Sequence, residues 1–160
     1  MDEQTIDLMF SSKSNEWETP PEFFKMLEDE FSFTLDPAAT EENHLCKKYY
    51  TMETDGLNQS WKGETIFLNP PYGRGTIDRW VEKCFDEAFH GTKIVLLIPS
   101  RTDTKWFHKY IYAPANGSSY GDIDIRYRFL KGRLKFKNKL YPQEKLTPAP
   151  FPSMLVYYNL

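Results

Sequence analysis

The stretch Lys93-Ile-Val-Leu-Leu-Ile98 constrains the fold of this chain more than any other segment. Its aliphatic residues are consecutive, so neither side of an extended strand would be polar. Such a run suits a central strand covered on both faces, as in a parallel sheet. It is far too short to span a membrane. A second apolar run, Thr65–Leu68, reads as another buried strand. Between the two, Thr76 or Asp78 starts a helix that runs to about His90. Ile77, Trp80, Val81, Phe85 and Phe89 share one side of it, and Gly91 ends it.

The same alternation extends in both directions. Upstream, Thr19 is expected to cap a helix with Pro20 or Pro21 in its first turn and Phe23, Phe24, Leu27 and Phe31 on its apolar face. Phe33–Asp36 reads as a short strand stopped by Pro37. A short helix is expected around Glu41–Lys47, and Asp55-Gly56 as a turn. Downstream, Thr102 or Asp103 caps a helix through about Tyr112, and residues 113–121 form a loop. The pattern then changes to strands only. Ile123–Phe129 alternates strictly, Gly132 breaks it, Leu134–Phe136 resumes it, and Met154–Tyr158 closes the chain. Alternating strand and helix followed by strands predicts an α/β fold, a mostly parallel sheet with an antiparallel C-terminal edge.

The length, 160 residues, predicts one domain over 1–160, with 1–15 a polar, mobile arm. No signal-peptide stretch is visible at the N-terminus, and Cys46 and Cys84 fit reduced thiols, so a cytoplasmic protein with no membrane partner is expected. His44 and Cys46 lack companions for a zinc site, so no metal is expected. His108, beside Trp106 and Phe107, reads as structural. The net charge is −3, yet Arg126–Lys145 carries eight Lys/Arg against one acid, Glu144. A globally acidic chain can bind a polyanion through such a local patch.

The motif that carries chemistry is Asn69-Pro70-Pro71-Tyr72, directly after the strand Thr65–Leu68. Ligands of open α/β sheets bind at the carboxyl ends of strands. The Asn69 carbonyl oxygen can accept one N–H of a planar amino group. Pro71 biases Pro70 towards an extended conformation, which leaves the Pro70 carbonyl free to accept a second. Tyr72 offers a face for a flat base. Two acceptors would draw a conjugated nitrogen towards tetrahedral geometry and localise its lone pair for attack on a methyl group. The obvious donor is the sulfonium of S-adenosylmethionine. Asp36 and Asp55 are expected to bind the cofactor's amino group and ribose hydroxyls, and Trp17 with Thr19-Pro20 to close over it. Arg101 and Arg133 are expected on phosphates or bases, with Lys135 and Lys137 from the basic strands beside them. The tetrapeptide alone leaves the acceptor open: a protein glutamine amide or an RNA base fits the same grip, and a DNA-binding homologue without activity remains an alternative.

Over most of its length the chain resembles the phage-type (Dam-like) DNA N6-adenine methyltransferases. The matching segments are Trp17-Glu-Thr-Pro20, Leu35-Asp-Pro-Ala-Ala39, Tyr49-Tyr50 with Asp55-Gly-Leu57, Leu68-Asn-Pro-Pro-Tyr-Gly73, Leu97-Ile-Pro-Ser-Arg101, Trp106-Phe-His108, Gly132-Arg-Leu134 and Pro152-Ser153. The resemblance implies a Rossmann-like methyltransferase core, S-adenosylmethionine as donor and adenine N6 in double-stranded DNA as acceptor. It makes Asn69–Tyr72 the catalytic tetrapeptide and puts Asp36 in a cofactor-binding segment. A monomer or a homodimer is expected. One departure stands out: Pro37-Ala38-Ala39-Thr40 replaces the glycine-rich loop that many related enzymes carry after the first acid.

Overall fold

The computed structural model describes residues 17–117, 121–138 and 145–160. The expected arm 1–15 lies outside them. A six-stranded mixed sheet organises the chain, in the order β3 (Lys48–Tyr49), β2 (Leu35–Asp36), β4 (Thr65–Leu68), β5 (Lys93–Pro99), β9 (Ser153–Tyr158) and β6 (Ile125–Phe129). The first four run parallel. β9 is antiparallel to both β5 and β6. The carboxyl ends of β2, β4, β5 and β6 therefore share one edge of the sheet.

β5 behaves as its sequence requires. Ile94, Leu96 and Ile98 pack on one face, and Val95 and Leu97 on the other, all without solvent exposure. Helix α2 (Ile77–Phe89) covers the first face through Ile77, Trp80, Val81 and Cys84. It is joined there by α3, which runs as Lys105–Phe107, continues through π-helical turns at His108–Tyr112 and ends at Ala113–Ala115. Helix α1 (Pro21–Phe31) covers the second face, with Leu27 buried and Phe23, Phe24 and Phe31 against Phe33 and Phe67. Both layers are apolar because both faces of the central strands lose contact with water.

A second, three-stranded sheet has the order β1 (Trp17–Glu18), β7 (Lys135–Asn138) and β8 (Thr147–Pro148). The expected continuation of β6 into Leu134–Phe136 is thus corrected. The chain does leave one strand and enter another, but β7 pairs with the N-terminal β1 rather than with the large sheet. That long-range pairing has no local signature in the sequence.

Four further expectations are corrected. No helix forms over Glu41–Lys47, because the local backbone donors have other partners. The Leu45 N–H bonds the Asp36 carboxylate at 3.0 Å, and the Asn43 N–H bonds Thr40 Oγ1 at 3.0 Å. Thr19 does not cap α1; Pro20 precedes the first turn with no side-chain cap. Thr104, not Thr102 or Asp103, caps α3 by accepting from the Phe107 N–H at 3.3 Å. α3 also extends to Ala115, into the expected loop.

Candidate functional site

The Asn69–Tyr72 loop leaves β4 at the shared strand edge and opens onto a cleft of about 550 Å³. That volume is in the range of pockets that take a cofactor-sized ligand. Seven of the residues expected at the site line it: Trp17, Thr19, Asp36, Asp55, Asn69, Pro70 and Pro71. Pro20 is buried outside the lining, and its carbonyl accepts the Phe24 N–H at 3.0 Å.

Asp36 ends β2 and is 5% exposed. One oxygen accepts the Ala38 N–H at 3.3 Å and the other the Leu45 N–H at 3.0 Å. Burial pushes its carboxyl up to about 6, opposed by those two N–H bonds and by His44. Asp36 therefore braces the 37–45 loop as well as lining the cleft. The amides of that loop are also engaged. Ala39 donates to Tyr50 O at 2.9 Å and Thr40 to Asn43 O at 3.0 Å. A ligand carboxylate would need donors other than those amides. Arg79 and Asn43 also line the cleft and carry suitable N–H groups.

Asp55 adopts a left-handed conformation (φ 53°) and accepts a hydrogen bond from Asn58 Nδ2. The next residue must be glycine. A Cβ at Gly56 would stand 2.1 Å from the Pro37 carbonyl oxygen, so the two loops touch backbone to backbone. Trp61 Nε1 donates to Gly56 O at 2.9 Å and fixes this contact from below. Its ring stacks on Trp80 at 6.4 Å, and Lys83 Nζ lies 5.2 Å from its centroid. Sequence reading passed over Trp61; its only hint was a tryptophan just after a polar turn.

Both ends of the Asn69 amide meet neighbours. Nδ2 donates to Trp17 O at 2.6 Å and to Thr19 Oγ1 at 3.0 Å. Oδ1 faces the Tyr72 hydroxyl. The Pro70 carbonyl, in contrast, receives no hydrogen bond among the described residues. Tyr72 departs from expectation. It is 1% exposed, and its ring meets Phe151 edge-on at 5.5 Å and Phe136 at 6.5 Å. Its hydroxyl can donate to Asn69 Oδ1 or to Leu97 O at 3.1 Å. No open face is available for stacking here, because two phenylalanines from distant segments cover it.

Arg101 Nη1 donates to the Tyr72 carbonyl at 3.1 Å and so braces the loop. Arg133 and Lys135 are exposed and Lys137 is half-buried. The chain reaches them after β6, which ends at the same sheet edge as Asn69. With Arg128 and Lys131, Arg133 and Lys135 rim an open groove of about 470 Å³ floored by Phe23, Leu130 and Leu134, and among the described residues no acid lines it.

Among the described residues no group of three or more His, Cys, Asp and Glu could hold a metal. His108 bonds Thr102 O at 2.8 Å through Nε2. No helix among the described residues is long and apolar enough to cross a membrane.

A mixed sheet with the Asn69–Tyr72 loop and Asp36 at neighbouring strand ends defines an α/β protein with a cleft of ligand size at that edge. The chain belongs to the DNA N-6-adenine-methyltransferase (Dam) family, whose model matches residues 9–158. A protein of Escherichia phage T1 named DNA N-6-adenine-methyltransferase is 40% identical over 93 residues. That alignment covers 57% of this chain and 38% of the phage protein.

Proposed function

We propose that this chain transfers a methyl group from S-adenosylmethionine to N6 of adenine in double-stranded DNA, on a Rossmann-like core. The observation that carries the reading is the pair of acceptors at the end of β4. Asn69 and Pro70 line a cleft with two acids, Asp36 and Asp55, in its wall. Membership of the Dam family supports adenine N6 as the acceptor.

S-adenosylmethionine, when bound, supplies an electrophilic methyl on sulfur. The cleft suits such a group: Asp36 and Asp55 offer carboxylates for its ammonium and ribose, and Trp80 and Leu57 offer apolar wall. Asn69 Oδ1 and Pro70 O accept the two N–H bonds of the target amino group. This localises the nitrogen lone pair and stabilises the positive charge that develops on it. The nitrogen then returns a proton to solvent. Pre-attack deprotonation is unnecessary, which fits a site whose polar groups at the loop are acceptors rather than strong bases. Arg133, Lys135 and Lys137 are assigned to the DNA backbone; Tyr72 can meet a flipped base only once Phe136 and Phe151 no longer cover its ring.

Labelled S-adenosylmethionine offered separately to DNA, RNA and protein tests the reading, with modified adenines mapped at base resolution. Label confined to RNA or protein refutes it. Asn69→Ala should cost about 3 kcal/mol in the barrier, about a hundredfold in rate, with cofactor affinity retained. Full turnover in that variant would remove Asn69 from the mechanism.

A further inference from the structure

The assigned acceptor has an internal hydroxyl within reach. Asn69 Oδ1, the atom assigned to the target amino group, faces the Tyr72 hydroxyl. The second acceptor, Pro70 O, is free among the described residues. Tyr72 thus stands as an internal donor on one half of the grip. Resting on the reading above, we propose that Phe136 is a positioning residue that keeps Tyr72 in this place, and that strand β7 couples DNA contact to its release.

Three observations converge on β7. First, its side chains alternate. Phe136 has no exposure and meets Tyr72 edge-on at 84°, while Lys135 on one side is exposed and Lys137 on the other is half-buried. A phosphate backbone drawn to the lysines acts on the strand that holds the ring. Second, among the described residues the ladders of β7 are short, two residue pairs with β1 and two with β8. Short ladders of this kind rearrange more readily than the central sheet. Third, β1 reaches the same catalytic residue. Trp17 O accepts from Asn69 Nδ2, and the Trp17 ring meets Phe136 at 5.9 Å and Phe151 at 5.5 Å. The small sheet therefore touches both ends of the catalytic amide, one through Trp17 and the other through Tyr72. When β7 shifts, Phe136 uncovers the ring. The ring is then free to stack on the base, and its hydroxyl leaves Oδ1 for the incoming amino group.

The test compares two DNAs carrying the same mapped target adenine, in single turnover with saturating S-adenosylmethionine. One is a long duplex. The other is a short single strand with uncharged methylphosphonate linkages, which offers the β7 lysines no phosphate charge. Phe136→Leu should raise the short-strand rate about twofold to tenfold, the factor by which one edge-to-face ring contact shifts an equilibrium. The duplex rate should not rise in step, so the ratio narrows. A Phe136 that merely supports the fold lowers both rates together; that result, or no change, overturns the proposal. Should Phe136→Leu fold poorly, Trp17 emission gives a second reading. Saturating duplex should change it in the wild type, and the change should be absent in Trp17→Phe. It should shrink in Lys135→Gln/Lys137→Gln at saturating DNA; a full change there also overturns the proposal. A wild type inactive on both DNAs refutes the DNA reading itself, and this inference with it.

Discussion

Asp36→Asn offers the sharpest test of how the cleft is built. In the folded chain burial raises the Asp36 carboxyl from 3.8 to about 6. A raised carboxyl favours the folded state in its protonated form. Its contribution is complete below the unfolded value and is lost as pH rises through about 6. The full effect is about 3 kcal/mol. Between about pH 5 and about pH 7.5 the part that changes is about 1.4 kcal/mol, with the protein less stable at the higher pH. That corresponds to about 3–6 °C in melting temperature for a chain of this size. Urea unfolding of wild type and Asp36→Asn at both pH values isolates the group, since other titrations cancel in the comparison. The wild type should lose about 1.4 kcal/mol more than the variant over this interval. Equal pH dependence in the two proteins would refute the account of Asp36 as a desolvated carboxylate. A cationic ligand should reverse the trend. The affinity for S-adenosylmethionine should strengthen as pH rises through about 6, while the variant should bind with a flatter profile.

Two further perturbations probe other parts of the molecule. Gly56→Ala forces a Cβ to 2.1 Å from Pro37 O, so the loops must part. We expect a loss of about 1–3 kcal/mol in stability and weaker binding of S-adenosylhomocysteine by calorimetry; unchanged values for both would contradict the contact. Arg128→Gln/Lys131→Gln removes two cations from the rim of the basic groove. The slope of log affinity for duplex DNA against log salt should fall by about 1.8; an unaltered slope would take this groove off the DNA path.

What was legible in the sequence followed from local pattern. β5 announced itself because an unbroken aliphatic run has few other places to go. α2 showed its buried side through Ile77, Trp80 and Val81. The tetrapeptide stood out because its chemistry is carried by consecutive residues placed just after a strand. What was hidden depended on contacts between distant segments. Nothing near Tyr72 says that Phe136 and Phe151 cover it, so its burial was missed. Glu41–Lys47 has helix-compatible composition, but Asp36 captures the Leu45 N–H from nine residues away. Thr19 looked like a cap, and its hydroxyl instead accepts a bond from Asn69, 50 residues on.

The backbone contact between Gly56 and Pro37 has a thermodynamic consequence. Loops that close a ligand site usually lose conformational freedom when the ligand arrives, and that loss subtracts from affinity. Here the 37–45 and 55–59 segments are locked to each other and to Trp61 by the fold alone. Their ordering is completed during folding, so little remains to be ordered on binding. The amide hydrogens of Ala39, Leu45, Asp55 and Asn58, each with an acceptor inside the fold, should exchange slowly before any cofactor is added.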